Sequence, residues 1–325
     1  MTRISTNQFF DTNLYGMQLA GVRMLRAQSE LITQKKLQSA ADNPSGAVQV
    51  LRANQTIGEY DQFLRTITTV RSRLEVTDTV LGNFGNAAVR ARELAVQMGN
   101  GSLDAGARQS VAKEVEAVLL SMQSLANAVD PDGARMFAGF KTETAPVASR
   151  AAVAGDVDVN GNPVTSLVWS YEGDSEVRLT SITEARNDFP TNITGDKIFF
   201  SDNDNDGDVD DSVFATLQKL VDVGNGTLAP GETMADAIGD ILGRLGKFSQ
   251  QAFSARADIG ARLVEIDATE NATENSKLSL LKLKSEIEDV DISEAITRFT
   301  QQQTILEAAR GSYARIQDLS LFKFL

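Results

Sequence analysis

The chain has 325 residues, 42% of them hydrophobic, and a formal net charge of −13 at pH 7. That length suits about two domains with a sizeable core, and that charge argues against a protein held to nucleic acid by its overall field. It contains no Cys and no His, which excludes disulfides, thiolate chemistry and Cys-based zinc sites and removes the commonest general base, so no enzymatic activity is expected.

The opening Met1-Thr2-Arg3-Ile4-Ser5-Thr6-Asn7 is not followed by an apolar stretch with a small-residue cleavage site, so no cleavable signal peptide is expected. No run of about 18 apolar residues occurs, and no membrane partner is expected. Between Asp11 and Gln38 the residues Leu14, Met17, Gly21, Met24, Gln28 and Leu31 recur at alternating steps of three and four, which places them on one narrow helical stripe. Gly21 and Gln28 weaken that stripe. The segment Ala40 to Gly46 breaks the helix, and Pro44 suits the first turn of the next one.

That next helix carries the strongest periodic signal in the chain. Tyr60, Phe63, Ile67, Val70, Leu74, Thr77, Leu81, Phe84, Ala88, Ala91, Ala95 and Met98 repeat three-four without a slip. Gly99-Asn100-Gly101-Ser102 ends it, Ser102 or Asp104 can cap a third helix, and the short connection makes the two antiparallel neighbours. From about Met136 to Phe200 the rhythm gives way to short alternating runs, such as Val168-Trp169-Ser170-Tyr171, separated by turn residues; these read as hairpins. Helix resumes near Asp211 and again, at length, from about Thr233, with Ile238, Ile241, Leu245, Phe248, Ala252, Ala255, Ile259, Leu263 and Ile266 on one side. A last helix beyond Asp291 repeats every seven residues at Ile292, Phe299, Leu306 and Tyr313, with a companion series at Ala295, Gln302, Ala309 and Ile316.

The expected fold is therefore mainly α with a β-rich insert: a long antiparallel helical bundle whose N- and C-terminal helices pair. Its segments are an N-terminal assembly helix (1–42), the first half of the bundle (43–135), a β-rich inserted domain (136–210), the second half of the bundle (211–289) and a C-terminal assembly helix (290–325). The terminal stripes form the expected assembly interface, through Leu14, Met17, Met24, Leu31, Ile292, Phe299, Leu306, Tyr313 and Ile316. Both stripes carry small or amide residues, so their pairing is expected to be marginal in the free protein and to order on assembly.

Several blocks resemble the flagellin-like axial proteins of the bacterial flagellum, and among them the hook–filament junction members. They are the opening Arg3-Ile4-Ser5-Thr6-Asn7-Gln8, the break at Asp42-Asn43-Pro44, the run from Met136-Phe137-Ala138-Gly139-Phe140 to Pro146, Glu288-Asp289-Val290-Asp291, and the ending Leu319-Ser320-Leu321-Phe322. Lys35-Lys36-Leu37-Gln38 departs from the pattern by lacking the family's glycine at the first break. The resemblance implies a structural adaptor in the extracellular flagellum, joining the hook, through the proximal junction protein, to the flagellin filament. It also implies a ring of identical copies, export without a cleavable signal, and an export chaperone on the C-terminal region. A filament-forming flagellin of the same family is the nearest alternative.

One local motif points elsewhere. Asp202, Asp204, Asp206 and Asp210, with Gly207 in the sixth place and Val209 in the eighth, imitate a calcium loop, although Val213 stands where the twelfth-place Glu belongs. Weak Ca2+ binding and a solvated acidic turn are both open readings, and no other cofactor is expected. With calcium, a secreted calcium-dependent adhesin becomes a further, more distant alternative. Trp169 and Tyr171 share one face of their run and suit either a small β core or a binding platform.

Overall fold

The computed structural model describes residues 2–153, 156, 167–184, 188–201 and 211–321. The architecture is mainly helical. α1 spans Thr2–Thr33, α2 Pro44–Met98, α3 Ala105–Ala126, α4 Asp196–Phe199, α5 Val213–Gly224, α6 Met234–Glu288 and α7 Ile292–Leu321. Among the described residues six short strands, β1 (Val147–Ala151), β2 (Leu167–Tyr171), β3 (Leu179–Thr180), β4 (Phe189–Pro190), β5 (Phe200–Ser201) and β6 (Asp211–Ser212), form three antiparallel pairs, β1–β2, β3–β4 and β5–β6.

Local chemistry sets the helix ends. α1 stops at Thr33, two residues past the last stripe position Leu31, where Gln34 adopts a left-handed conformation with φ 57°. The Asp42 carboxylate accepts from the Ser39 and Gln38 amides at 2.9 and 3.3 Å, folding the connection into a turn. Asn43 then caps α2, its Oδ1 accepting from the Gly46 amide at 3.0 Å, and Pro44 takes the first helical position, where its missing N–H costs nothing. Asp104 caps α3 and Ser212 caps α5. Thr233 and Asp236 exchange side-chain bonds to each other's amides at the start of α6, a capping box with Asp in place of Glu.

The chain forms two compact units. One comprises the residues up to Asp61 with those from Glu274 onward; the other comprises Gln62–Thr273. The boundary falls inside the two 55-residue helices α2 and α6. In the larger unit the three-four seam of α2 is buried from Ile67 through Leu74, Leu81 and Phe84 to Met98, packed with α3, α5 and the Ile238–Ile266 side of α6. Among the described residues the hairpin segment shares its core with the bundle. Phe137, Phe189, Phe199 and Phe200 join the same cluster as Phe84 and Phe214, with ring centroids 4.7 Å apart for Phe84–Phe199 and 5.1 Å for Phe137–Phe199. Pairs of two- to five-residue strands bury too little surface to stand alone, so they share the bundle's core.

From Asp267 to Ser276 α6 is largely polar, and Arg71 of α2 pairs with Asp267 and Glu270; earlier on α6, Arg256 pairs with Asp78.

Candidate assembly interface

In the unit that holds both terminal segments, α1 and α7 pack along each other. They run antiparallel, since Glu30 in the last turns of α1 meets Arg298 near the start of α7. Met17, Met24 and Leu31 lie half-buried on this seam, as do Phe299 and Tyr313, and Leu306 is buried. Leu14 and Ile292 are exposed, and the Ile316 side chain lies outside what is described. Among the described residues the most buried positions of α1 are Ala20, Ala27 and Glu30, and Gln28 faces solvent. The seam therefore runs one residue aside from the stripe drawn through Gln28, along alanines that let the two backbones approach.

Glu30 is the buried charge of this seam. Its carboxylate takes Arg26 at 3.4 Å on one oxygen and Arg298 at 3.4 Å on the other, bridging the two helices. Arg26 also reaches Asp42 at 2.6 Å, so the same network fixes the turn that follows α1. Backbone bonds then stitch the two helix breaks together: Val290 N–H donates to Gln34 O at 3.0 Å, and Lys36 N–H to Glu288 O at 2.8 Å. Lys35 pairs with Glu288, which raises the lysine's pKa through that hydrogen bond, and Lys36 Nζ donates to Glu286 O at 2.5 Å. Lysines stand where the resemblance leads one to expect glycine, and here they clasp the two breaks.

The opposite side of α1 mixes polar residues, Asp11, Gln18 and Ser29, with exposed apolar ones. Val22, Leu25 and Ile32 are 63%, 60% and 74% exposed, and Tyr15 lies on the same side. Periodicity gives α1 one stripe, and Tyr15, Val22, Leu25 and Ile32 stand apart from it.

The Met136–Pro146 block is a structured turn in the larger unit. Gly139 sits at φ +65°, and a Cβ there would lie 1.9 Å from Asp174 Oδ1. Through that opening the Asp174 carboxylate accepts the Phe140 amide on both oxygens at 3.0 Å. Tyr171 OH donates to Phe137 O at 2.8 Å, and burial pushes its phenol pKa up. Trp169 stacks on Phe214 with centroids 5.2 Å apart, so both aromatics of β2 serve packing.

Asp202, Asp204, Asp206 and Asp210 lie outside the described residues. Among the described residues no group of three acidic, His or Cys side chains is placed to hold a metal, and no helix is long and apolar enough to cross a membrane.

Paired terminal helices, a clasp between their breaks and the long helices α2 and α6 define a mainly helical protein whose two ends fold together. Residues 4–142 match the bacterial flagellin N-terminal helical region and residues 242–325 the C-terminal helical region. The chain belongs to the bacterial flagellin family. It is 25% identical to Flagellar hook-associated protein 3 of Escherichia coli strain K12 over 331 residues, covering 99% of each chain. It is also 25% identical to the Salmonella typhimurium protein of that name over 324 residues, again 99% of each. The crystal structure of flagellar hook-associated protein 3 from Legionella pneumophila shares the fold, with a TM-score of 0.58 and 19% identity over 73% of this chain and 99% of that one.

Proposed function

We infer that this protein is a structural adaptor of the bacterial flagellum, placed at the junction between hook and filament. The observation that carries this reading is the end-to-end match to two curated hook-associated proteins 3, insert included. A family likeness confined to the terminal helices would fit a filament flagellin equally well. The role is mechanical: α1 and α7 form the part that enters the assembly, and the exposed side of α1 supplies apolar surface for neighbouring chains. Its partners on this reading are its own copies in a ring, the proximal junction protein on the hook side, flagellin on the filament side and an export chaperone before assembly. On this reading its place is the extracellular flagellum. Catalysis has no part in this role, in keeping with a chain that lacks His and Cys.

Deleting the gene tests it. The expected strain is non-motile, makes intact hooks and sheds unpolymerised flagellin into the medium; complementation restores filaments. Attached filaments of normal length in the deletion strain refute the junction role. Purified protein that polymerises alone into long filaments points to the flagellin alternative.

A further inference from the structure

A cavity of about 540 Å3 lies in the larger unit between residues Asn192–Ile198 and one face of α6. Its α6 wall presents Lys247, Gln250, Gln251, Ser254, Asp258 and Arg262, spaced so that all share that face. Lys197 adds a second amino group from α4. Three cations thus surround the space against one carboxylate, in a chain where acidic residues outnumber basic ones by 44 to 31.

These cations are unspent. Two arginines on the same helix do have carboxylate partners: Arg244 has Asp211 and Asp240, and Arg256 has Asp78. Among the described residues Lys197, Lys247 and Arg262 make no ion pair. Arg262 is half-buried and donates from Nη1 to a single carbonyl, Asn192 O at 2.9 Å. Burial pushes its pKa down, opposed by Asp258 without a direct contact. A guanidinium in that state has fork-shaped donor capacity left for a planar anion. Behind these walls Asn192 Nδ2, Thr194 Oγ1 and Gln251 Oε1 are buried with no partner among the described residues. Asn192 and Thr194 are 2% and 1% exposed, so this polarity is built into the fold.

We propose that the cavity between Asn192–Ile198 and α6 is a binding site for a ligand bearing two or more carboxylates, with Arg262 receiving one and Lys197 and Lys247 the others. The volume falls in the range of small-ligand sites, which is ample for a tricarboxylic acid or a short acidic peptide.

Calorimetry on the full chain at low salt, with citrate and with triaspartate as probes, tests this. At least one probe is expected to bind the wild type, with affinity falling as salt rises. Lys247→Glu is expected to weaken it at least tenfold without moving the thermal midpoint, since Lys247 is exposed. Binding of triaspartate alone assigns the site to a peptide segment; binding of citrate as well assigns it to free carboxylates. Absence of binding by both at millimolar concentration overturns the proposal. So does equal affinity in wild type, Lys197→Glu and Lys247→Glu; these two surface variants keep the test decisive even where Arg262→Gln fails to fold.

Discussion

Replacing Gly139 with Ala tests whether the Met136–Pro146 block is held by its backbone conformation. At φ +65° any L side chain costs about 1–2 kcal/mol. The added Cβ would also lie 1.9 Å from Asp174 Oδ1 and 2.6 Å from Asp174 O, so Asp174 must withdraw and the Phe140 amide loses its carboxylate. A hydrogen bond to a charged group contributes about 1.5–3 kcal/mol. Together these give a destabilisation of about 3–5 kcal/mol, large for a single methyl group. Urea unfolding followed by far-UV circular dichroism reads it as a drop in midpoint at constant slope. The cycle with Asp174→Ala sharpens the test. Without that carboxylate one clash and one bond are already gone, so Gly139→Ala should cost less in that background, with a coupling of about 1–3 kcal/mol. A Gly139→Ala protein within 0.5 kcal/mol of wild type, or strict additivity with Asp174→Ala, would refute the reasoning.

Glu30→Ala removes the carboxylate that Arg26 and Arg298 share. Both arginines are substantially solvated, so the expected loss is only about 1 kcal/mol, seen as faster amide exchange along α1 with the larger unit unchanged. Gly224 lets α3 and α5 close up, since a Cβ there would sit 2.7 Å from Ala112 Cβ and 2.8 Å from Met98 Cε. Gly224→Ala should cost about 1–3 kcal/mol by overpacking, and a thermal midpoint equal to wild type counts against that close approach. Hydrogen bonding from Arg71 lowers the Glu270 pKa below its ordinary value of 4.5. A depressed carboxylate gives stability that is complete above its unfolded pKa and is lost as pH falls through its folded one. Urea midpoints should therefore fall below about pH 4.5, and less steeply in Arg71→Met than in wild type; parallel profiles exclude this pair as a contributor.

Helices were the legible part of this chain. The α2 seam could be read because twelve positions repeat without a slip, and Pro44 and Asp104 announce the next helices by chemistry that acts within a few residues. What escaped reading depends on partners far along the chain. Glu30 looks like any surface acid until Arg298 arrives from 268 positions away. The α1 seam was drawn through Gln28 because periodicity weighs large residues, whereas close helix pairing favours the alanines one position aside. The β segment reads as a domain of its own by composition, yet its phenylalanines join the bundle core, a choice no local pattern encodes. Lys197, Lys247 and Arg262 came together only through the fold.

The two sides of α1 differ in how much free energy each has left to give. The seam toward α7 is centred on Ala20, Gly21 and Ala27, side chains that bury little apolar area. The outward side keeps Val22, Leu25 and Ile32 more than half exposed. Full burial of such a side chain contributes about 1.5–3 kcal/mol, so covering the remaining exposed fraction of these three supplies about 3–6 kcal/mol. On the junction reading that energy is released when neighbouring chains pack, and Val22→Asp separates folding from assembly. In the free protein Asp at this exposed position should shift stability by no more than about 0.5 kcal/mol. In the assembled ring it would bury an unpaired carboxylate, a penalty of several kcal/mol per chain that repeats in every copy. The expected result is a protein with wild-type urea midpoint that fails to restore filaments to the deletion strain. Full complementation by Val22→Asp would show that the outward stripe stays in solvent, and a fall of more than 1 kcal/mol in the free protein would show that it belongs to the fold.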